Sequence, residues 1–296
     1  MAEQRLLVVS PVRNEADHIV KAARSMAAQT RSPDLWLVVD DDSTDGTLAM
    51  LRELERTTPF LEVLTAQQKP ETVGAADRLA VAAEALAFNA ALAAVEWNDY
   101  THIAKLDGDL ELPPEYFARL LDEFASDAGL GMAGGIRTEL HGSTWIKERI
   151  PRLHVPGGLK LYKRECFEAI GGIENRLGWD IIDETRARML GWRTHSFDDL
   201  VVTHHRPWGS ADGVLRGCAR HGTNSHIIGQ GLPWVLGRSL KVGLQRRPPI
   251  VAGIAYLFGY LKARITSAPR VDEPELRRFV RRELRGRALN RVRART

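Results

Sequence analysis

Carboxylates stand at points in this sequence where short apolar runs end. Residues 6–10 run into Pro11-Val12-Arg13-Asn14-Glu15. Residues 35–39 run into Asp40-Asp41-Asp42-Ser43-Thr44-Asp45-Gly46-Thr47, and residues 101–106 into Asp107-Gly108-Asp109. In open α/β sheets ligands bind at the carboxyl ends of strands, so these stretches bring polar groups to one edge. Asp40, Asp41, Asp107 and Asp109 gathered there would repel one another, an arrangement that a bound cation relieves. Oxygen donors without a Cys/His cluster favour Mg²⁺ or Mn²⁺ over zinc, and such ions keep substrate phosphates in their shell. The chemistry implied is metal-assisted handling of a diphosphate. Taken singly, Ser43 and Asp45 read equally well as helix N-caps.

Strands and helices must alternate to hold these groups. Residues 6–10, 35–39, 61–64 and 101–106 read as strands. Residues 16–29, 47–55 and the Ala-rich 75–95 read as helices, which is the form of βαβ units and a mainly parallel sheet. Pro113-Pro114 opens a further helix through residue 124. The later chain predicts a helix over 185–190 and a strand over 200–203. The expected division is a catalytic domain over 1–210, with a nucleotide-binding half of about 1–110 and an acceptor half of about 111–210, followed by a helical extension over 211–296.

The 41 basic and 38 acidic residues are too balanced for a general nucleic-acid binder. Cys166 and Cys218 lack CxxC spacing, so neither a disulfide framework nor a zinc site is implied. The N-terminal segment lacks the apolar stretch of a secretory signal, which leads to the expectation of a cytoplasmic protein. The longest apolar run, residues 250–261, is about two-thirds of a membrane span and suits a buried or interfacial helix.

The set of motifs resembles the family 2 glycosyltransferases of inverting, bacterial type with the GT-A fold. The likeness spans roughly residues 5–205. It rests on Pro11 to Glu15, the run from Val38 to Thr47, Asp107-Gly108-Asp109, and Gly171-Gly172 followed by Gly178-Trp179-Asp180 and Asp183-Glu184. It implies a Rossmann-like α/β domain that moves a sugar from a nucleoside diphosphate donor, uridine before guanosine, onto a saccharide or lipid-linked acceptor.

On this resemblance Pro11, Arg13, Asn14 and Glu15 wrap the nucleoside and Asp41 accepts a hydrogen bond from its base. Asp107 and Gly108 lie at the ribose or a metal-bound water, and Asp109 ligates Mg²⁺ or Mn²⁺ with Asp107 near it. Arg78 and Lys105 add positive charge near the phosphates, or serve the scaffold. Asn89 matches a frequent Asn, with helix packing as the alternative. His204 or His205 is a further metal ligand, which tilts the ion toward Mn²⁺. Trp179 and Trp208 stack on sugars or fill a core, and His221 and His226 lie on a helix surface. Asp183 or Glu184, at the apparent start of a helix whose dipole favours the ionised form, is the base that deprotonates the acceptor. Arg13 stands where an aromatic is frequent. Asp42 replaces a common glycine in a turn that Asp tolerates.

From Arg270 onward arginines crowd the chain. Together with the apolar and basic residues of 232–263 they suit peripheral contact with an anionic membrane at its inner face, or a solvated face on packed helices. The alternatives are a nucleotidyltransferase acting on sugar phosphates, which would open with a Gly-rich loop and a Lys, and a catalytically inactive nucleotide-sugar-binding scaffold.

Overall fold

The computed structural model describes residues 3–65, 82–141, 143–206 and 213–293. The chain forms two compact units, Met1–Pro207 and Trp208–Thr296. The first is built on β1 (Leu6–Val12), β2 (Leu35–Asp40), β3 (Leu61–Thr65), β4 (His102–Leu106), β5 (Leu110–Glu111), β6 (Leu130–His141), β7 (Thr144–Lys147), β8 (Leu159–Lys163) and β9 (Arg193–His204). These join in one sheet of order β3-β2-β1-β4-β8-β6-β9-β5, with β7 on β6. The β3-β2-β1-β4 half is parallel, as its alternation of strands and helices requires. β8 then runs antiparallel to both β4 and β6, a reversal the apolar pattern does not encode.

Helices cover both faces of the parallel half. On one face Leu6, Val8, Trp36 and Val38 pack with Ile19 and Met26 of α1 (Ile19–Ala27), Leu51 of α2 (Thr47–Thr57) and Phe117 and Leu120 of α4 (Tyr116–Ser126). On the other, Leu7, Val9, Leu37 and Val39 meet Ala85 and Phe88 of α3 (Ala83–Leu92) and Phe167 of α5 (Arg164–Ala169). Because both faces are covered, β1 and β2 read as unbroken apolar runs instead of alternating ones. Of the Ala-rich helix expected over 75–95, α3 is the described part; residues 75–81 lie outside the described residues.

The expected helix over 185–190 is the end of a longer one, α6 (Trp179–Met189). It starts directly after Gly178, whose φ of 86° closes the preceding turn. Asp183 and Glu184 therefore sit inside the helix, and the acidic residue of its first turn is Asp180.

The second unit contains α7 (Val214–Ile227), α8 (Leu232–Gln245), α9 (Val251–Ile265) and α10 (Pro274–Arg293). Glycines bring α7 and α9 into backbone contact. A Cβ on Gly222 would lie 1.9 Å from the Tyr256 carbonyl oxygen, and one on Gly259 would lie 1.9 Å from that of Ala219. Ser225 and Tyr256 hydroxyls, 2.6 Å apart, close the same interface. His226 is buried there with Nε2 3.2 Å from the Ala268 carbonyl oxygen, a correction to its expected surface position, whereas His221 is exposed. No helix among the described residues is long and apolar enough to cross a membrane. Gly259→Ala is expected to destabilise the helical unit by about 1–3 kcal/mol, because the methyl group meets backbone that cannot rotate away. A lowered urea midpoint in far-ultraviolet circular dichroism would register it.

Candidate active site

The ends of β1 and β2 are stitched together by their own polar side chains. The Asn14 amide donates to Ser43 Oγ (2.9 Å) and the Thr44 amide to Asn14 Oδ1 (2.8 Å). The Glu15 amide donates to Thr47 Oγ1 (2.8 Å), and the Ala16 amide to Asp45 Oδ2 (3.1 Å). Asn14 and Asp42 take left-handed backbone, φ 53° and 61°, which short polar side chains tolerate. Asp45 also accepts from the Thr47 amide (3.1 Å), so it serves the start of α2 and the neighbouring loop together. Arg13 donates to the Asp41 carbonyl oxygen (2.9 Å), and Pro11 pairs with Val39 in the strand register. Asp40 and Asp41 stand at the end of β2, one strand removed from the end of β4, with β1 between them. The four aspartates read from the sequence thus divide. Asp40, buried, accepts from the Ser43 amide (3.2 Å), while Asp107 and Asp109 follow β4.

Around Asp109 a second group assembles. His204, the last residue of β9, points Nε2 at Asp109 Oδ2 (3.3 Å) and Nδ1 at Glu139 Oε1 (2.9 Å). β9 reaches this point because Leu110 pairs with His204 in the short β5–β9 ladder. Burial favours the neutral ring, yet the bonds to Asp109 and Glu139 outweigh it and lift the His204 pKa to about 9. Arg206 reaches Glu15 Oε2 (2.7 Å) and lies 3.9 Å from Asp109 Oδ2. Burial first, then the charge of Asp109, push the Glu15 carboxyl up to about 8 against Arg206, with Asp107 and Asp45 adding to the rise. Glu15, Asp107, Asp109 and His204 therefore share one electrostatic neighbourhood. His205 meets Asp109 through main chain alone, its amide donating to the Asp109 carbonyl oxygen (3.2 Å), while its ring bonds Glu111 Oε2 (2.9 Å) and stacks on His18 at 5.6 Å.

Among the described residues no three His, Cys, Asp or Glu side chains gather into a complete metal shell. The adjacent Asp109 oxygen and His204 nitrogen fit a partial one, completed by phosphate and water, and a mixed O/N donor set suits Mn²⁺ or Mg²⁺.

A third group lies under the Asp107 carboxylate. Lys105, fully buried, is ion-paired with Asp107 and lies 3.4 Å from Glu84 Oε2. Burial opposes its charge, but Asp107 and Glu84 prevail and hold its pKa above the ordinary lysine range. Glu84 in turn accepts from Trp179 Nε1 (3.1 Å). Gly157 and Gly158 run past this group: a Cβ on Gly158 would fall within 2.0 Å of Asp107 Oδ2, and one on Gly157 within 3.2 Å of Asp180 Cβ.

Residues 7–173 match the family model described as Glycosyl transferase family 2. The chain belongs to this family. It is 25% identical over 221 residues to glycosyltransferase AglE of Haloferax volcanii, covering 68% of this chain and 67% of the relative. In fold it is similar to mannosyltransferase PcManGT from Pyrobaculum calidifontis, solved with GDP-Man and Mn²⁺. That likeness has a TM-score of 0.56 and 19% identity over 91% of this chain and 77% of that one. It is also similar to S. aureus TarS 1-349 solved with UDP-GlcNAc, with a TM-score of 0.53 and 15% identity over 91% and 74%. Both solved structures bear out the expected GT-A fold. The nucleotidyltransferase and inactive-scaffold alternatives fall away with the family assignment.

In this glycosyltransferase the two carboxylates expected to supply a base are both committed elsewhere. Asp183 is buried, with Oδ1 2.6 Å from Lys160 Nζ and Oδ2 accepting from the Tyr162 hydroxyl (2.5 Å). Burial lifts its carboxyl to about 6 in spite of those partners. Glu184 is buried too, bonded to His154 Nδ1 and the Val155 amide, each at 3.0 Å. Burial would raise its pKa, but His154, Lys160 and Arg188 bring it down to about 2. Asp180, one turn earlier, keeps a half-exposed side chain while its carbonyl oxygen accepts from Lys160 Nζ (2.5 Å). The sequence carries a signal for this earlier start, since Gly178 before Trp179-Asp180 suits the turn that precedes a helix.

The remaining expected residues divide the same way. Asn89 takes the packing role, donating to the Ile173 carbonyl oxygen (2.7 Å) and to Asn175 Oδ1 (2.7 Å). Trp179 is a core residue. Arg78 and Trp208 lie outside the described residues.

His204 gives the site a pH signature. Its folded pKa of about 9 stands above the ordinary 6.5, so its stabilising contribution is complete below 6.5 and is lost as pH rises through 9. Between pH 7 and 9.5 the metal-free melting temperature should fall less steeply in His204→Gln than in the parent. Added Mn²⁺, which competes with the proton, should offset the parent's fall.

Proposed function

We propose that this family 2 glycosyltransferase moves a sugar, with inversion, from a nucleoside diphosphate donor to a saccharide or lipid-linked acceptor. Asp109 and His204 would hold Mn²⁺ or Mg²⁺. The observation that carries the reading is the pairing of Asp109 with His204, 3.3 Å apart, in the same charged neighbourhood as Asp107 and Glu15. When bound, the ion supplies Lewis-acid stabilisation of the departing diphosphate. Mn²⁺ and GDP-Man in the similar mannosyltransferase support this assignment.

The protein's own groups do the rest. Pro11, Arg13, Asn14 and Asp41, locked by the stitched loops, position the nucleoside, with uracil as the base we favour. Asp107, fixed by Lys105, orients the ribose, and Gly108 leaves room beside Val12, whose Cγ1 a Cβ there would approach to 2.4 Å. Asp180 takes the acceptor hydroxyl proton as oxygen attacks the anomeric carbon. It replaces Asp183 and Glu184 in that role because its carboxylate is accessible and stands in the first turn of α6, where the helix dipole favours the ionised form. Asp183, Lys160 and Tyr162 position that turn from beneath.

Asp180→Asn should lower kcat by about 10²–10⁴ while leaving the donor KM and the melting temperature near parental values. Asp183→Asn should instead cost about 3 kcal/mol of stability, since it leaves Lys160 buried without its counter-charge. The reverse pattern would return the base to Asp183. A thermal-shift series with UDP and GDP, each with and without Mn²⁺, should show the larger rise for UDP with metal.

A further inference from the structure

The helical unit exposes an apolar face that its own packing leaves uncovered. Through Leu261 α9 is apolar on all sides, and only two of those sides are buried. Gly259 and Tyr256 face α7, while Gly253 lies against Ser239 and Gly243 of α8. On the remaining side Val251, Ile254, Phe258, Leu261 and Ile265 recur at steps of three and four, a straight stripe along the helix. Phe258 is 60% and Ile265 81% exposed. α8 runs antiparallel to α9, as the Ser239–Gly253 and Gly243–Ile250 contacts require. Its Leu236, Leu240 and Leu244 follow at steps of four, the last two 68% and 75% exposed. At 100° per residue both stripes project to the same side of this hairpin.

Charge says what covers the face. Between Gly213 and Val271 the chain has nine Lys and Arg and no Asp or Glu. Lys262 and Arg264 fall on opposite margins of the α9 stripe, Lys241 lies beyond the leucines of α8, and Arg246-Arg247 follow that helix into the turn. A second copy docked on this face would set basic margin against basic margin with no acidic residue in either helix to pair them. An anionic bilayer meets both requirements, accepting the apolar stripe at the acyl boundary and the lysines and arginines at the phosphates. The arginine-rich α10 has no large exposed apolar side chain among its described residues, so it lacks the apolar half of that pairing.

We propose that the α8–α9 hairpin lies flat in an anionic membrane surface as an interfacial anchor. This goes beyond the proposed transfer reaction and does not depend on it. The test is flotation of the full chain with vesicles of phosphatidylcholine alone or with about 30% phosphatidylglycerol, at low salt and at about 0.5 M NaCl. The parent should float with the anionic vesicles and about tenfold less with neutral ones or at high salt. Ile254→Glu/Phe258→Glu should lose about tenfold in bound fraction, with melting temperature and vesicle-free donor turnover unchanged. Equal flotation of the double variant, or no flotation of the parent, overturns the proposal. So does a concentration-dependent dimer in sedimentation equilibrium without vesicles that the double variant abolishes, since a second copy would then be the occupant.

Discussion

Lys105 and Lys160 face one another across the antiparallel β4–β8 ladder, and both are fully buried. Two like charges in register inside a sheet repel strongly at low dielectric. They persist because each has its own carboxylate, Asp107 for Lys105 and Asp183 for Lys160. The indole of Trp179 adds to this, with both ammonium groups 5.4 Å from its ring centre. Two placements at the site follow from this arrangement. Lys105 fixes the carboxylate that follows β4, and Lys160 fixes the first turn of α6 through the Asp180 carbonyl oxygen and Asp183.

The network also explains a division of labour among acidic residues. Asp183, bonded to Lys160 and Tyr162, and Glu184, bonded to His154, are structural: their oxygens are engaged, and their ionisation is set by partners. Asp180, above Lys160, is half-buried, and Asp109, though buried, among the described residues meets only His204 and Arg206, partners that a cation can displace. Glu15 is buried and held by Arg206, and its pKa rises chiefly because burial disfavours the carboxylate, with the charge of Asp109 second.

Much of this was legible in the residues. The parallel half announces itself because strands covered on both faces must be continuously apolar, and Asp42 takes the left-handed backbone its position in the turn calls for. The antiparallel insertion of β8 is hidden because Leu159–Lys163 places Lys160 in the core, where hydropathy reads a polar surface residue. The same lysine misdirects the reading of Asp183. An acidic pair near a helix looks like a solvent-facing cap until its buried counter-charge, 23 residues earlier in sequence, is known. His204 and His205 could not be told apart either, because His204 closes β9 with its ring toward Asp109 while His205, one residue beyond the strand, turns its ring to Glu111, and only the register with β5 says which.

The Gly157-Gly158 passage carries one more consequence. With Gly158 pressed on Asp107 and Gly157 on Asp180, the span between these two acids is bridged by peptide units without side chains. Peptide planes hold their dimensions through changes of rotamer, protonation or solvent. The space between the two acids is therefore bounded by main chain alone, and a side chain at either glycine would intrude on it.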